Sequence, residues 1–285
     1  MMLSKFEYFK PESLEEVFEL LDKNEGEYEL LAGGTDVFVD MKHGNRKPDY
    51  IVDVKGIEDF NRIEERDDGI FIGSTVTCNQ IIDSELMNEN FNVLVEAASE
   101  VAAHQVRNRA TLVGNLCTTS PGADMFPPLL VLGTKVLVES KDGSREISLD
   151  EFATGVKQNA LQEKEVVKGL LVQKHADDSQ GAYLKKRRTK GPDLSAIGVA
   201  GFVSEKEEYL AFALGAVAPT PVLIDVSDIF FGEGSFEEKQ NEIQETILDN
   251  ISPIDDVRST AKYRRKMSQV YARRILSRIW KAGDK

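Results

Sequence analysis

The chain has 285 residues, 41% hydrophobic and 29% charged, an ordinary globular balance with room for two or three compact units. Its net charge of −14 excludes a broad nucleic-acid footprint, which needs a basic face. Only two cysteines, Cys78 and Cys117, are present. They cannot make a disulfide framework, nor ligate an iron–sulfur cluster or a structural zinc unaided, and no run approaches the ~20 apolar residues of a membrane span.

Residues 1–57 read as a small α/β unit. A strand over 6–9 is followed by a helix that opens at Pro11-Glu12-Ser13-Leu14-Glu15-Glu16. Ser13 is the expected N-cap and Glu16 its capping-box partner, with Leu14, Val17, Phe18 and Leu21 as the apolar stripe. A buried strand over 29–32 runs into Gly33-Gly34, a short helix is expected over 35–42, and another strand over 49–54. Residues 58–175 read as a second, larger unit. It holds a strand over 69–73, a helix from Thr77, an alanine-rich helix over 91–103, and a helix over 124–132 with Pro127 and Pro128 near its start. A hairpin around Asp142-Gly143 and a strand over 166–172 complete it. Residues 176–285 read as three strands, 182–188, 196–203 and 209–217, then helices over 236–248 and 259–280, the last strongly basic. Alternation is weak in the last two strands, which predicts burial on both faces for one of them.

Two segments carry the chemistry. One is Leu30-Leu31-Ala32-Gly33-Gly34-Thr35-Asp36-Val37; the other is Thr111-Leu112-Val113-Gly114-Asn115 with Ser120-Pro121-Gly122-Ala123-Asp124. Both set small residues and bare amides beside hydroxyl or amide side chains, which suits a phosphate. Alone, a Gly-Gly between a strand and a helix is an ordinary turn. Two such loops meeting in space would hold the pyrophosphate of a dinucleotide. Neither matches the Rossmann fingerprint or the P-loop.

Side-chain catalysis is poorly represented. His43 reads as solvated, and His104 as a structural residue at the C-terminus of the alanine-rich helix, where the dipole favours a cation. The cysteines read as small buried residues. No histidine has metal-ligand spacing, and no GxSxG elbow occurs. If the chain is an enzyme, a cofactor carries the chemistry, with no catalytic side chain and no metal site. The run Lys185-Lys186-Arg187-Arg188-Thr189-Lys190 is either a solvated edge strand or a strand with one set facing a cofactor or acidic partner.

Taken together, these motifs resemble the FAD-binding medium subunit of the molybdenum hydroxylases, the xanthine dehydrogenase, carbon monoxide dehydrogenase and aldehyde oxidoreductase group. The likeness covers nearly the whole chain. Phe6-Glu7-Tyr8 with the Pro11–Glu16 segment resembles the family's opening, and Leu31 to Asp36 its first FAD loop. Gln105-Val106-Arg107-Asn108-Arg109-Ala110 leading into Thr111–Asn115, with Ser120–Asp124, resembles its second and is the most specific match. Gly215-Ala216-Val217-Ala218-Pro219-Thr220-Pro221 and Tyr263-Arg264-Arg265 resemble its C-terminal domain.

The resemblance implies an α+β fold: a two-lobed FAD-binding domain of the vanillyl-alcohol-oxidase (PCMH) type, with lobes 1–57 and 58–175, plus a C-terminal three-stranded sheet with helices over 176–285. It implies that Leu30, Leu31, Ala32, Gly33, Gly34, Thr35, Asp36 and Val37 wrap the FAD pyrophosphate. Thr111, Gly114, Asn115 and Ser120 meet it from the other side, Asp124 reaches the ribose region, and Lys185 lies near the isoalloxazine, where its charge favours the reduced ring. Leu194 stands where some members place an aromatic after the residue matching Asp193, and the cysteine-rich insertion of the benzoyl-CoA-reducing branch is missing. The implied role is a cytoplasmic electron-transfer flavoprotein subunit. Its implied partners are a small [2Fe–2S] subunit and a large molybdopterin subunit, in a dimerised heterotrimer, with NAD⁺ or another acceptor. The competing readings are a stand-alone flavin oxidoreductase and a flavin-free scaffold that keeps the fold.

Overall fold

A computed structural model describes residues 3–280, so the tips of the two outer predicted units, 1–2 and 281–285, lie outside the described residues. Three main sheets follow one another along the chain. The first is parallel and three-stranded, with Tyr50–Asp53 in the middle, flanked by Glu7–Phe9 and Tyr28–Leu31. All four residues of the middle strand are buried, as expected of a parallel strand covered on both faces. The helix Leu14–Lys23 packs Val17 and Leu21 into this lobe's core. Ser13 Oγ accepts from Glu16 N at 3.2 Å, as the cap requires, but Glu16 Oε2 accepts from Glu12 N at 2.8 Å, one residue before the expected partner.

The second sheet is antiparallel, ordered Ile63–Arg66, Gly69–Gly73, Val166–Val172, Lys135–Ser140, Gly143–Ser148. The third is antiparallel and four-stranded: Gln180–Lys186, Ile197–Ser204, Tyr209–Gly215, Val222–Asp225. Every residue of Ile197–Ser204 is buried. One face of this sheet packs on the second lobe through Tyr183, Ala200, Phe202, Ala211 and Ala213. The other packs Val199, Phe212 and Leu214 beneath the helices Phe236–Asp249 and Ala261–Ile279. Covering on both sides explains why the alternation in these strands is weak.

Four expectations are corrected, and one strand that the sequence reading did not place is added. The C-terminal sheet has four strands rather than three, because the short Val222–Asp225 follows Pro219-Thr220-Pro221 and carries no strong pattern. The strand expected over 209–217 stops at Gly215, where Ala216 turns with φ +63°. Ile63–Arg66 is an edge strand whose Glu64-Glu65 hid it from a hydrophobic reading. The alanine-rich helix is Asn92–Glu100, and exposed His104 opens a separate turn, His104–Arg107, so His104 sits at no helix C-terminus as expected. Finally, Thr111 to Asn115 is no loop: Leu112–Cys117 is a helix with Thr111 as its N-cap.

Candidate functional site

The strand Tyr28–Leu31 delivers Gly33 and Gly34 to the centre of the molecule. There Gly33 lies directly on the segment that precedes the helix Leu112–Cys117. A Cβ at Gly33 would stand 2.1 Å from the Arg109 carbonyl oxygen and 3.2 Å from Thr111 N, so the two backbones touch and no side chain fits between them. Gly34 has φ +76° and turns the chain into the helix Val37–His43. The two segments that sequence places apart therefore meet.

A cavity of about 840 Å³ opens over this junction, within the range of cofactor pockets. Leu30, Ala32, Gly33, Gly34, Thr35, Asp36 and Val37 line it from one side; Thr111, Gly114, Asn115, Ser120, Asp124 and Lys185 line it from the other. Of the expected site residues only Leu31 does not line it, since strand alternation turns its side chain into a small core with Met41 and Ile51.

The second wall works differently from the expectation of bare amides. Thr111 Oγ1 accepts from Gly114 N at 3.1 Å, so that amide is already bonded by the cap. The hydroxyl proton of Thr111 stays available to donate. Asn115 Oδ1 accepts from Met125 N at 3.2 Å and ties the helix Leu112–Cys117 to the helix Phe126–Val131. Asp124 and Lys185 bond each other: Nζ lies 2.7 Å from Asp124 Oδ2 and donates to Glu100 O at 3.1 Å. Tyr183 OH donates to the other oxygen, Oδ1, at 3.0 Å. The Lys185 side chain is 1% exposed. Burial pushes the Asp124 carboxyl up, and the contacts with Lys185 and Tyr183 offset part of that rise. Burial and the Asp124 charge push the Tyr183 phenol far up, so it stays a hydrogen-bond donor.

The basic run resolves into both of its readings. Lys185 points inward, Arg187 pairs with Glu100, and Arg188 pairs with Asp193 at 3.3 Å while Thr189 and Lys190 face solvent. Leu194 sits on the cavity rim, 67% exposed. His43 is exposed, as read. Cys78 is buried and Cys117 lies in the cavity wall; burial pushes both thiols up to about 12, far from a reactive thiolate.

Sequence reasoning missed part of the wall: Ser74, Ala102, Lys157, Asn159 and Gln162 also line the cavity. Ala102 and Lys157 have φ of +41° and +57°, and Thr119 and Lys164, each next to a lining residue, have +42° and +63°. Non-glycine residues held in this region mark backbone that its surroundings over-determine, and such residues gather at ligand sites. Glycine is the usual signal for that conformation, and it is missing at these positions.

The wall fits FAD on three counts: the volume, the backbone junction that only glycine allows, and the hydroxyls of Thr35, Thr111 and Ser120. Residues 4–172 match the family of the FAD binding domain in molybdopterin dehydrogenase, and residues 182–279 the CO dehydrogenase flavoprotein C-terminal domain. The chain is 29% identical to a xanthine dehydrogenase FAD-binding subunit of Escherichia coli O157:H7, over 98% of this chain and 97% of that one. It is 28% identical to a carbon monoxide dehydrogenase medium chain of Hydrogenophaga pseudoflava, over 98% of this chain and 99% of that one. The fold superposes on a solved chain of the carbon monoxide dehydrogenase from Hydrogenophaga pseudoflava, with TM-score 0.90, 27% identity, and coverage of 98% and 99%. The chain belongs to the FAD-binding medium subunits of the xanthine and carbon monoxide dehydrogenase type of molybdenum hydroxylase.

Proposed function

We propose that this chain holds FAD between its two lobes and relays electrons through it within a multi-subunit molybdenum hydroxylase. The observation that carries the reading is the Gly33–Arg109 backbone contact beneath the cavity, with the hydroxyls of Thr35, Thr111 and Ser120 around it. FAD held there would supply a carrier able to exchange electrons one or two at a time. Leu30 and Ala32 to Val37 wrap the pyrophosphate from one side, while Leu31, expected among them, stands behind in the core. Thr111, Gly114, Asn115 and Ser120 hold it from the other. The Asp124–Lys185 pair and Tyr183 frame one wall of the pocket as a fixed dipole, without moving a proton. In this reading the units are 1–57, 58–175 and 176–285, which agrees with one main sheet lying within each.

The partners in this reading would be a small subunit whose [2Fe–2S] clusters supply the electrons and a large molybdopterin subunit on which the substrate would be hydroxylated. NAD⁺ or another acceptor takes the electrons away. A cytoplasmic location is part of the same proposal; no helix among the described residues is long and apolar enough to cross a membrane.

The test is a visible spectrum of the purified chain before and after FAD addition and desalting, repeated on the complex co-expressed with a two-cluster iron–sulfur protein and a molybdopterin protein. A flavin spectrum at about one FAD per chain, with the three chains co-purifying, is the expected result. A folded chain that keeps no flavin in either preparation would overturn the reading.

A further inference from the structure

The segment Ser120 to Asp124 supplies four residues to the cavity wall: Ser120, Gly122, Ala123 and Asp124. Apart from its internal turn, in which Ala123 N donates to Ser120 O at 2.9 Å, the hydrogen bonds recorded for this segment come from beyond residue 172, while Ala123 also packs into the second lobe's core. Ala216 N donates to Pro121 O at 2.5 Å. Ala216 can do so because it takes φ +63° directly after Gly215, where a Cβ would stand 3.2 Å from that same Pro121 oxygen. A Cβ at Gly122 would stand 3.0 Å from Arg258 Nη1 and 3.4 Å from Ser195 O, so Gly122 is packed beneath Arg258. Asp124 is held by Lys185 and Tyr183.

Arg258 is itself held rigidly. Its Nε and Nη2 donate to Asp256 Oδ2 at 2.9 and 2.7 Å, and its backbone N–H donates to Oδ1 at 2.8 Å. Asp256 Oδ1 also accepts from Arg264 Nη2 at 2.7 Å. Arg264, 2% exposed, donates to Ile254 O at 2.7 Å and to Ala196 O at 2.9 Å, beside the Ser195 that touches Gly122. A planar guanidinium locked along one edge by a carboxylate leaves its remaining nitrogen in a set position. Here that nitrogen, Nη1, bears on Gly122.

From this we infer that the C-terminal domain shapes the second wall of the cofactor site, and that Arg258 is a positioning residue for FAD that acts through Gly122. Arg258 does not line the cavity, so its effect on the cofactor passes through the 120–124 segment. The inference rests on the FAD reading above. Sites lose affinity when the shell that supports the contacting groups is loosened, even with every contacting group intact.

The experiment titrates FAD into the full-length apo chain, following flavin fluorescence, and melts each apo variant alongside. Arg258→Gln is expected to raise the Kd for FAD about tenfold, with the apo Tm within ~2 °C of the parent. Gly122→Ala, which crowds the Arg258 contact and leaves the Asp256 network whole, is expected to raise the Kd several-fold at the same Tm. If Arg258→Gln does not fold, Gly122→Ala alone decides. Unchanged FAD affinity overturns the inference, as does an affinity loss no larger than the loss of apo stability. A parent chain that binds no FAD under the same conditions overturns the cofactor reading instead, and the inference with it.

Discussion

The two walls of the cavity share a composition and differ in construction. Gly33 is a glycine because two backbones touch there and Gly34 because the chain turns at φ +76°, between the strand before and the helix after. Around Thr111 to Asp124 the small residues serve a capped helix and a segment gripped from the C-terminal domain by Ala216, Arg258 and Lys185. A glycine-rich stretch is thus two physical objects under one appearance. Both walls use contacts that only the folded chain supplies: the first needs no side chain at Gly33, and the second needs the bonds made by Ala216, Arg258 and Lys185.

The largest expected effect tests the second wall. Replacing Lys185 by methionine leaves Asp124 buried with its charge uncompensated, which costs ~3–5 kcal/mol. Urea unfolding of Lys185→Met should show that loss, and Asp124→Asn combined with Lys185→Met should recover most of it, because the asparagine can still accept from Tyr183. A single variant as stable as the double one would mean that the pair contributes nothing to holding this wall.

The first wall is tested by Gly33→Ala. The new methyl meets the Arg109 carbonyl oxygen, a backbone atom that cannot turn aside. Overpacking of this kind costs ~1–3 kcal/mol, and the wall must separate to relieve it. FAD should be lost on desalting, a stronger effect on binding than on the melt. Retained flavin would show that the two backbones can part without cost to the site.

How much of this could be read beforehand follows how local each signal is. The first lobe was legible, because a cap at Ser13, a helical stripe and a Gly-Gly after an apolar strand are local signals. The C-terminal sheet was legible as strands but not in number, since Val222–Asp225 is short and half-exposed. Thr111 was placed at the site, yet its role as an N-cap went unread because a helix of six residues leaves little periodicity. The Asp124–Lys185 pair joins residues 61 apart, and no spacing rule connects them, although both were assigned to the site. Ala102, Lys157 and Ala216 take positive φ without being glycine, so nothing in their identity announces the turn.

A pH titration sharpens the comparison further. Burial pushes the Asp256 carboxyl up, but the hydrogen bonds from Arg264 and Arg258 outweigh it and hold the group well below the usual carboxylate range. A group depressed in the folded state gives stability that is complete above its unfolded pKa of ~3.9 and is lost as the pH falls toward the folded value. Hydrogen bonds to a charged group are worth ~1.5–3 kcal/mol, which sets the scale of the loss. Acid should therefore release the second wall while the Gly33 contact, which has no titrating member, stays. Asp256→Asn should flatten the acid limb of urea stability measured from pH 5 downward; an unchanged limb would place the acid sensitivity elsewhere.

The smallest effect separates two roles of one hydroxyl. Thr111 Oγ1 accepts from Gly114 N, and its proton is free to donate into the cavity. Thr111→Ala removes the cap and should cost ~1 kcal/mol of apo stability, the usual worth of an N-cap threonine. If the hydroxyl also donates to the cofactor, FAD affinity should fall by a further factor of ~5, the value of one hydrogen bond near 1 kcal/mol. Thr111→Ser keeps both functions and should restore both quantities. Stability lost without affinity would make Thr111 a cap alone and leave Ser120 as the hydroxyl on this wall, a distinction that urea melts and FAD titrations on the same three proteins read directly.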